Sequence, residues 1–560
     1  MNSKVICVAL GVAAIGLTGC SKKLGQFRSD FFSANPSPLE TVGQNVPATV
    51  NGNIPAKFMV KKARVTTTPV LTWNGGEVTG QPVTIQGEDV RANGQVVSYA
   101  NGGTVTIPFN VEYRPEMAQS DLYLDFSVDQ NGKMYKLPRV KVADGVIATS
   151  TLASAATVTP ATAPDKFEKV INEKYTADIH FLINQANVRT SETAKADYID
   201  LNKRLMEANS APNQEIAGVT INSYASPEGT YDYNKQLAER REQNTASYVE
   251  NQLKKDKITE FGELTSSFTP EDWEGFKELV EKSNIQDKEL ILGVLSMYKD
   301  PEQREREIRN LSSVFNELAD QILPQLRYSR VMASINVIGK SDQELISLFN
   351  TDPQKLTVDE ILYIATLTDD NTKKMEVYRK SADLYPSDYR TFNNLGLTKY
   401  VAGDYAGARA DFQKARSLNP ASKEVEMNLG LLDLLDGNYA KANEQIGAAA
   451  GVPEASDALG VYYLTQGDIS KATTAFGDAR TNNAALAQIL AKDYPAAKTI
   501  LAGIPTPDAI TYYLTAVLGA RTNNENMVMT NLRQAIRLDS SLLQRAQKDL
   551  EFSRYNLSFL

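Results

Sequence analysis

The sequence predicts a multidomain chain with an N-terminal all-β sandwich, an α+β domain carrying a helical insertion, and a C-terminal all-α solenoid. Three patterns predict it. Across residues 40–147, β-branched and aromatic residues alternate with polar ones between Gly/Asn turns, which is the period of strands. Residues 166–340 open with strand, helix, strand, turn and helix in that order. From about 341 onward a helical unit recurs at a fixed period, and such self-similarity signals stacked repeats. A chain of 560 residues is long enough to bury several separate cores.

At the start, Lys4 supplies positive charge, residues 5–17 are mostly apolar, and Leu17-Thr18-Gly19-Cys20 closes the run. About 13 apolar residues fall short of the roughly 20 that a helix needs to cross a bilayer, so the segment reads as a secretory signal. Leu17-Thr18-Gly19-Cys20 resembles a lipobox. That resemblance implies diacylglyceryl transfer to the Cys20 sulfur and cleavage before it, making 1–19 a lipoprotein signal peptide and 20–39 a lipidated tether. The alternative is an ordinary signal with a chance cysteine. Ser21-Lys22-Lys23 carries neither the aspartate nor the acidic run that marks inner-membrane retention or surface display in lipoprotein families. The resemblance therefore implies an anchor in outer-membrane lipid at the periplasmic face. Cys7, the other cysteine, lies in the segment to be removed, so the mature chain would hold no disulfide.

In the sandwich region, 64–73, 83–85, 103–113, 121–129 and 134–142 are candidate strands, and Gln130-Asn131-Gly132-Lys133 is a hairpin turn because Asn-Gly tolerates positive φ. No group of chemically active residues stands out in it. Residues 148–165 run through Thr, Ala, Ser and Pro without charge until Asp165, and Pro160 and Pro164 favour extended backbone. This stretch reads as an interdomain linker that spaces the domains, with a continuation of the sandwich as the alternative.

The α+β region begins with a strand at 175–183 and an amphipathic helix at 192–208 carrying Ala196, Ile199, Leu201 and Leu205. A strand at 217–224, the turn Ala225-Ser226-Pro227-Glu228-Gly229 and a helix at 233–253 follow. Asn234-x-x-Leu237-Ala238-x-x-Arg241, with Gly229 five residues before Asn234, resembles the C-terminal domain of OmpA-like proteins. The resemblance implies a pocket for a peptidoglycan stem peptide in which Arg241 grips a carboxylate, as a planar guanidinium fork can and a lysine cannot. Asn234 shares its helical face. The family's turn aspartate, which helps hold diaminopimelate, falls on Ser226, leaving Glu228 as the candidate substitute carboxylate. Alternatively, Ser226-Pro227-Glu228 is only a capped entry to a turn or helix, and Arg241 closes the domain by pairing with a local carboxylate.

Residues 258–326 exceed what that fold needs before its last strand and read as helices. Thr269-Pro270-Glu271-Asp272 looks like an N-cap, first-turn proline and acidic residues ahead of Trp273 and Phe276. Pro301 opens a further helix with Arg304, Glu305, Arg306, Glu307 and Arg309, whose mixed charges suit a solvated face. Val331, Ala333, Ile335 and Val337 alternate in a returning strand at 327–339. Such insertions are similar to those of Bacteroidetes envelope proteins, including ones linked to fimbriae.

In the last region, 341–560, Leu395-Gly396 with Ala408, Phe412, Ala415 and Pro420 recurs 34 residues on as Leu429-Gly430 with Ala442 and Ala449. A third unit, Leu459-Gly460 with Ala472, Phe476 and Ala479, comes slightly early. Tyr378 and Pro386 mark a degenerate copy upstream, and 485–501 and 512–538 continue downstream. These units resemble tetratricopeptide repeats (TPR), whose small residues let antiparallel helices approach closely. The resemblance implies a groove that binds a protein partner, an empty spacer being the alternative.

Enzymatic chemistry is not expected, the alternative being a carbohydrate- or wall-cleaving hydrolase whose two carboxylates are distant in the chain and meet in space. His180 is the sole histidine and falls in a strand, which removes imidazole metal clusters and serine–histidine relays. No mature cysteine remains beyond Cys20, and no P-loop or dinucleotide fingerprint is present. No cofactor or metal is implied, and a net charge of -9 argues against nucleic-acid binding. The expected role is a non-enzymatic outer-membrane lipoprotein scaffold, tied to peptidoglycan and recruiting a protein partner. The alternative is an accessory subunit of an outer-membrane secretion, barrel-assembly or fimbrial complex that does not touch the wall.

Overall fold

The computed structural model describes residues 23–285, 288–310 and 312–558; the signal at 1–19 and Cys20 lie outside the described residues. The chain divides into two compact units, Met1–Pro164 with Thr368–Leu560, and Asp165–Leu367.

In the first unit, the expected alternation builds a sandwich. Ser120–Gln130 buries every second residue, and Leu122, Leu124, Phe126 and Val128 all lie in the core. This strand sits inside a six-stranded sheet in the order Lys133–Asp144, Ser120–Gln130, Ala63–Trp73, Val83–Gly87, Gln95–Val97, with Gly76–Thr79 paired to Ala63–Trp73. Phe32–Asn35, Asn45–Ile54 and Gly103–Glu112 form a second, three-stranded antiparallel sheet. The expected turn is present, with Asn131 and Gly132 at φ 55 and 79. Asn45–Ile54 was not legible because Pro47 and Gly52 interrupt the pattern of buried Val46, Ala48, Val50 and Ile54.

The lead at 20–39 is not a free tether over its described part. Leu24, Phe27 and Phe32 are buried, Phe27 stacks on Phe126 at 4.4 Å, and Phe32–Asn35 pairs with Asn45–Ile54. Its aromatic residues carry enough apolar surface to be drawn into the core, whatever its Pro and Asn content suggests.

Five helical hairpins follow in the same unit among the described residues, from Tyr389–Val401 with Tyr405–Leu418 to Ala509–Arg521 with Glu525–Leu538. The glycine of each Leu-Gly pair faces the second helix of its hairpin. A Cβ on Gly396 would stand 2.8 Å from Phe412, and one on Gly460 would stand 2.5 Å from Phe476. Side-chain caps start most of these helices, among them Asp404, Ser422, Asp468, Thr481, Asp493 and Asn524.

Sandwich and repeats also touch directly. Gly43 has φ +60, and a Cβ there would come 2.4 Å from the Thr465 carbonyl oxygen. Gly43→Ala is therefore expected to cost about 2 kcal/mol, through strain at positive φ and collision with fixed backbone. A thermal melt of the full chain checks this, and an unchanged midpoint would mean that this contact is loose.

The second unit follows the expected order around a four-stranded sheet, Val170–His180, Tyr328–Ile338, Gln214–Tyr224, Glu263–Thr269, in which the last pair is parallel and the others are antiparallel. Helices Ala196–Ser210 and Tyr231–Lys255 pack on it, burying Leu201, Leu205, Val249 and Leu253 against Ile179, Val219, Ile221 and Val331. The segment at 258–326 is only partly the helical insertion expected, since its first part is the edge strand Glu263–Thr269. Helices Trp273–Lys282, Lys288–Met297, Pro301–Asn310 and Ser312–Gln321 follow, with a small core of their own around Phe276, Val280, Ile291 and Leu318. Thr269 ends the strand, so the cap falls on Asp272, whose side chain accepts from the Gly275 N–H at 2.9 Å.

The boundary with the repeats lies at 367/368 rather than at 340/341. Helices Asp342–Thr351 and Val358–Thr366 belong to the second unit, held by Lys340–Glu360 at 2.7 Å, Tyr363 donating to Asp342 at 3.0 Å, and the Phe167 and Tyr363 rings at 4.5 Å. Among the described residues, no helix is long and apolar enough to cross a membrane.

Candidate functional site

Ser226, Glu228, Asn234 and Arg241 do come together in the second unit, where strand Gln214–Tyr224 ends and helix Tyr231–Lys255 begins. Arg241 is 0 % exposed. Its Nε donates to the Gln185 carbonyl at 3.0 Å, Nη1 to that of Tyr224 at 2.8 Å and Nη2 to that of Leu182 at 3.4 Å. The guanidinium lies 4.9 Å from the centre of the Phe181 ring. Burial, reinforced by the like charge of Arg327, pushes its pKa down to about 10. The arginine thus closes the domain, through backbone carbonyls rather than through the local carboxylate considered from the sequence.

The other three residues are equally committed. Glu228 takes a two-pronged pair from Arg327, with both distances 2.9 Å, and accepts from the Ser226 hydroxyl at 2.8 Å. Arg309, from the helical insertion, donates to the Glu228 carbonyl. Asn234 is buried and its Nδ2 donates to the Gly229 carbonyl at 2.9 Å and to Glu271 at 3.1 Å, while Trp273 Nε1 donates to the other Glu271 oxygen at 2.9 Å. Glu228 therefore serves Arg327 and does not stand in for the missing aspartate. Residues of the insertion cover this corner.

The largest departure from the sequence reading is at 148–165. This segment is no spacer: it lies along the first helices of the repeats, with Ala155, Val158, Ala161 and Ala163 buried. Asn428 accepts from the Ala161 N–H at 2.7 Å and donates to the Ala161 carbonyl at 2.8 Å. Asn394 does the same for Ala163, both at 2.9 Å, and Asn483 for Ser154 at 3.0 and 2.9 Å. Asn393 adds a second bond to the Ala161 carbonyl at 3.0 Å, and Tyr400 donates to that of Ala155 at 2.7 Å. Apart from short 3-10 turns at Thr149–Leu152 and Ala155–Thr157 the segment has no regular structure of its own, so its buried main-chain groups must be satisfied from outside, and a carboxamide, with donor and acceptor side by side, matches one residue's N–H and C=O.

These asparagines were missed. The available signal was Asn394 and Asn428, each directly before a Leu-Gly pair in successive repeats, because a helix interior has no intrinsic use for asparagine there.

Past this stretch, a buried ionic cluster joins the sandwich to the last repeat. Arg521 pairs with Glu551 at 2.6 Å and with Glu40, and Thr149 donates to Glu551 at 2.6 Å. Burial pushes the Glu551 carboxyl above its ordinary value against the opposing pull of Arg521. Arg545 donates to the Ala148 carbonyl at 3.1 Å.

His180 ends its strand with Nδ1 3.8 Å from Glu192. Among the described residues, no group of three His, Cys, Asp or Glu side chains is arranged to hold a metal.

No family model matches the chain, and no curated protein matches it. Several solved structures are similar to it in part. A chain of the APC/C hetero-tetramer Cut9–Hcn1 is 19% identical, with a TM-score of 0.32 over 37% of this chain. This chain spans 46% of that one. A tetratricopeptide repeat protein from Parabacteroides merdae is 12% identical, with a TM-score of 0.30 over 44% of this chain and 98% of its own. YrrB, described as a TPR protein with an unusual peptide-binding site, is 16% identical, with a TM-score of 0.22 over 37% of this chain and 100% of its own. Likeness at this level says nothing of activity or ligand; the assignment of tetratricopeptide-type repeats rests on this chain's own stacked hairpins and their Leu-Gly contacts.

Proposed function

We propose that this chain is a non-catalytic, lipid-anchored scaffold of the bacterial envelope. Cys20 holds it in the outer membrane at the periplasmic face, and the helical repeats recruit a protein partner to a membrane-bound assembly. The recruiting role is supported by one observation: the repeats hold the chain's own segment 153–164 by its main chain, so their helices carry the chemistry of protein recognition, with other faces of the repeats left for the partner.

Of the two envelope roles expected, a link to peptidoglycan and an accessory place in a secretion, barrel-assembly or fimbrial complex, the geometry favours the second. A stem-peptide carboxylate reaching Arg241 would have to displace its bonds to Leu182, Tyr224 and Gln185, and Glu228 is already neutralised by Arg327. In this reading the OmpA-like unit is a folded support and not a wall clamp.

The test is affinity purification of the full-length protein after in-cell crosslinking, with and without muramidase digestion. The same protein partner is expected in both arms, with no muropeptide joined to the chain. A muropeptide crosslinked within residues 166–340 would restore the wall-binding role, and a Cys20→Ser variant that stays in the membrane fraction would overturn the anchor.

A further inference from the structure

We infer that the face made by the first helices of the repeats is a backbone-reading peptide site whose resident ligand is the chain's own segment 153–164, and that its ligand class is an uncharged peptide of small residues with a single turn at its start. The inference rests on the repeats being a recognition module and is independent of the lipid anchor. It moves the protein partner off this face.

The hydrogen bonds define what the site reads. Asn394, Asn428 and Asn483 each hold both main-chain polar atoms of a single residue, Ala163, Ala161 and Ser154 respectively. Asn394 and Asn428 bond only to main-chain atoms of the peptide and so hold its backbone without reading its sequence, while Asn483 also donates to the Thr157 hydroxyl at 3.1 Å.

Selection comes instead from size and charge. The side chains of Ala155, Ala161 and Ala163 are at most 5% exposed, so a longer residue there would collide with the helices. A charged residue would be buried without a counter-ion. The composition of 153–164, made only of Ala, Ser, Thr, Val and Pro, is the composition such a site accepts. Pro160 and Pro164 lack an N–H, and they flank the stretch with the gripped Ala161 and Ala163, so no donor is left unpaired at those two positions.

Covalent attachment then settles the competition. A segment tethered at both ends presents itself at an effective concentration on the order of millimolar, far above any free peptide. The site is therefore closed to the same peptide in trans while its own segment is seated.

The experiment uses the full chain and a full-length variant in which 153–164 is replaced by Gly/Ser of equal length, titrated with a fluorescent peptide spanning 151–166. The variant is expected to bind the peptide, and the wild type to bind it at least about 100-fold more weakly. Adding Asn428→Ala to the variant is expected to weaken binding about tenfold, the loss of roughly one two-sided amide pair. Equal binding to both chains, or no binding by a variant that keeps its helical circular dichroism, overturns the inference. Should that variant not fold, Asn428→Ala in the otherwise native chain decides: protease cleavage within 153–164 is expected to quicken about tenfold, and unchanged protection overturns the inference. A negative peptide result with partner capture in cells intact would sink this inference alone. A positive peptide result with no partner captured would sink the recruiting role.

Discussion

Arg241→Ala is expected to destabilise the second unit by about 3–5 kcal/mol, since the three carbonyls that the fully buried guanidinium ties together lose its bonds at once and a cavity replaces a large side chain. Lysine is a poor substitute: a single ammonium cannot reach the diverging carbonyls of Leu182, Gln185 and Tyr224, so Arg241→Lys should recover less than half of the loss. The chain has two tryptophans, Trp73 in the sandwich and Trp273 in the second unit, so urea unfolding in a Trp73→Phe background reports on the second unit alone. An Arg241→Ala midpoint equal to that of the parent would mean that water replaces the guanidinium at no cost, which is the behaviour of an open ligand pocket. The same expectation qualifies any wall-binding assay, because a variant that fails to pellet with sacculi would have lost its fold along with its arginine.

Arg521→Met is expected to have a comparable effect on the first unit, about 3–5 kcal/mol, because it leaves the Glu551 carboxylate buried without its cation. The packing is nearly conserved in this change, so the loss is electrostatic. Glu551 already sits above its ordinary pKa of 4.5 in the folded state. Without Arg521 it rises further, so the folded chain takes up a proton that the unfolded chain lacks. The deficit is then full at neutral pH and shrinks as the pH falls towards 4.5, below which the unfolded carboxyl is protonated as well. Thermal unfolding followed at pH 7 and pH 5 checks the size and the sign. The double variant Arg521→Met/Glu551→Leu should recover most of the loss, and a deficit independent of pH would place its cause in packing instead.

What was legible in the sequence follows from how locally each feature is encoded. Alternation along Ser120–Gln130 and the Asn131-Gly132 turn need only neighbouring residues, and both stand as expected. The Leu-Gly pairs of the repeats are legible for the same reason, since Gly396 and Phe412 meet within one hairpin. Arg241 was found by its motif, but its partners at 182, 185 and 224 are main-chain oxygens, which carry no residue identity for a sequence to display. The segment at 148–165 was misread because an uncharged run of Ala, Thr, Ser and Pro has one composition whether it crosses solvent or lies against helices. What distinguishes the two is an asparagine more than 200 positions away, as Asn428 is 267 positions from Ala161. The boundary at 367/368 was displaced for a similar reason: helices Asp342–Thr351 and Val358–Thr366 look like the start of a helical array and are claimed by Lys340 and Phe167 instead.

The placement of Asp165–Leu367 between the two halves of the other unit imposes an order of events on a chain that is made from its N-terminus. The sandwich and then the second unit can fold as they emerge, but the segment at 153–164 has nothing to lie against until the repeats from Asn394 onward arrive, and it is fully held only with Asn483. During that interval its main-chain groups are solvated and its prolines keep it from joining a sheet edge. Completion of the first unit is thus a closing step that waits for the last third of the chain, and a truncated product would betray itself by an unprotected stretch near its middle.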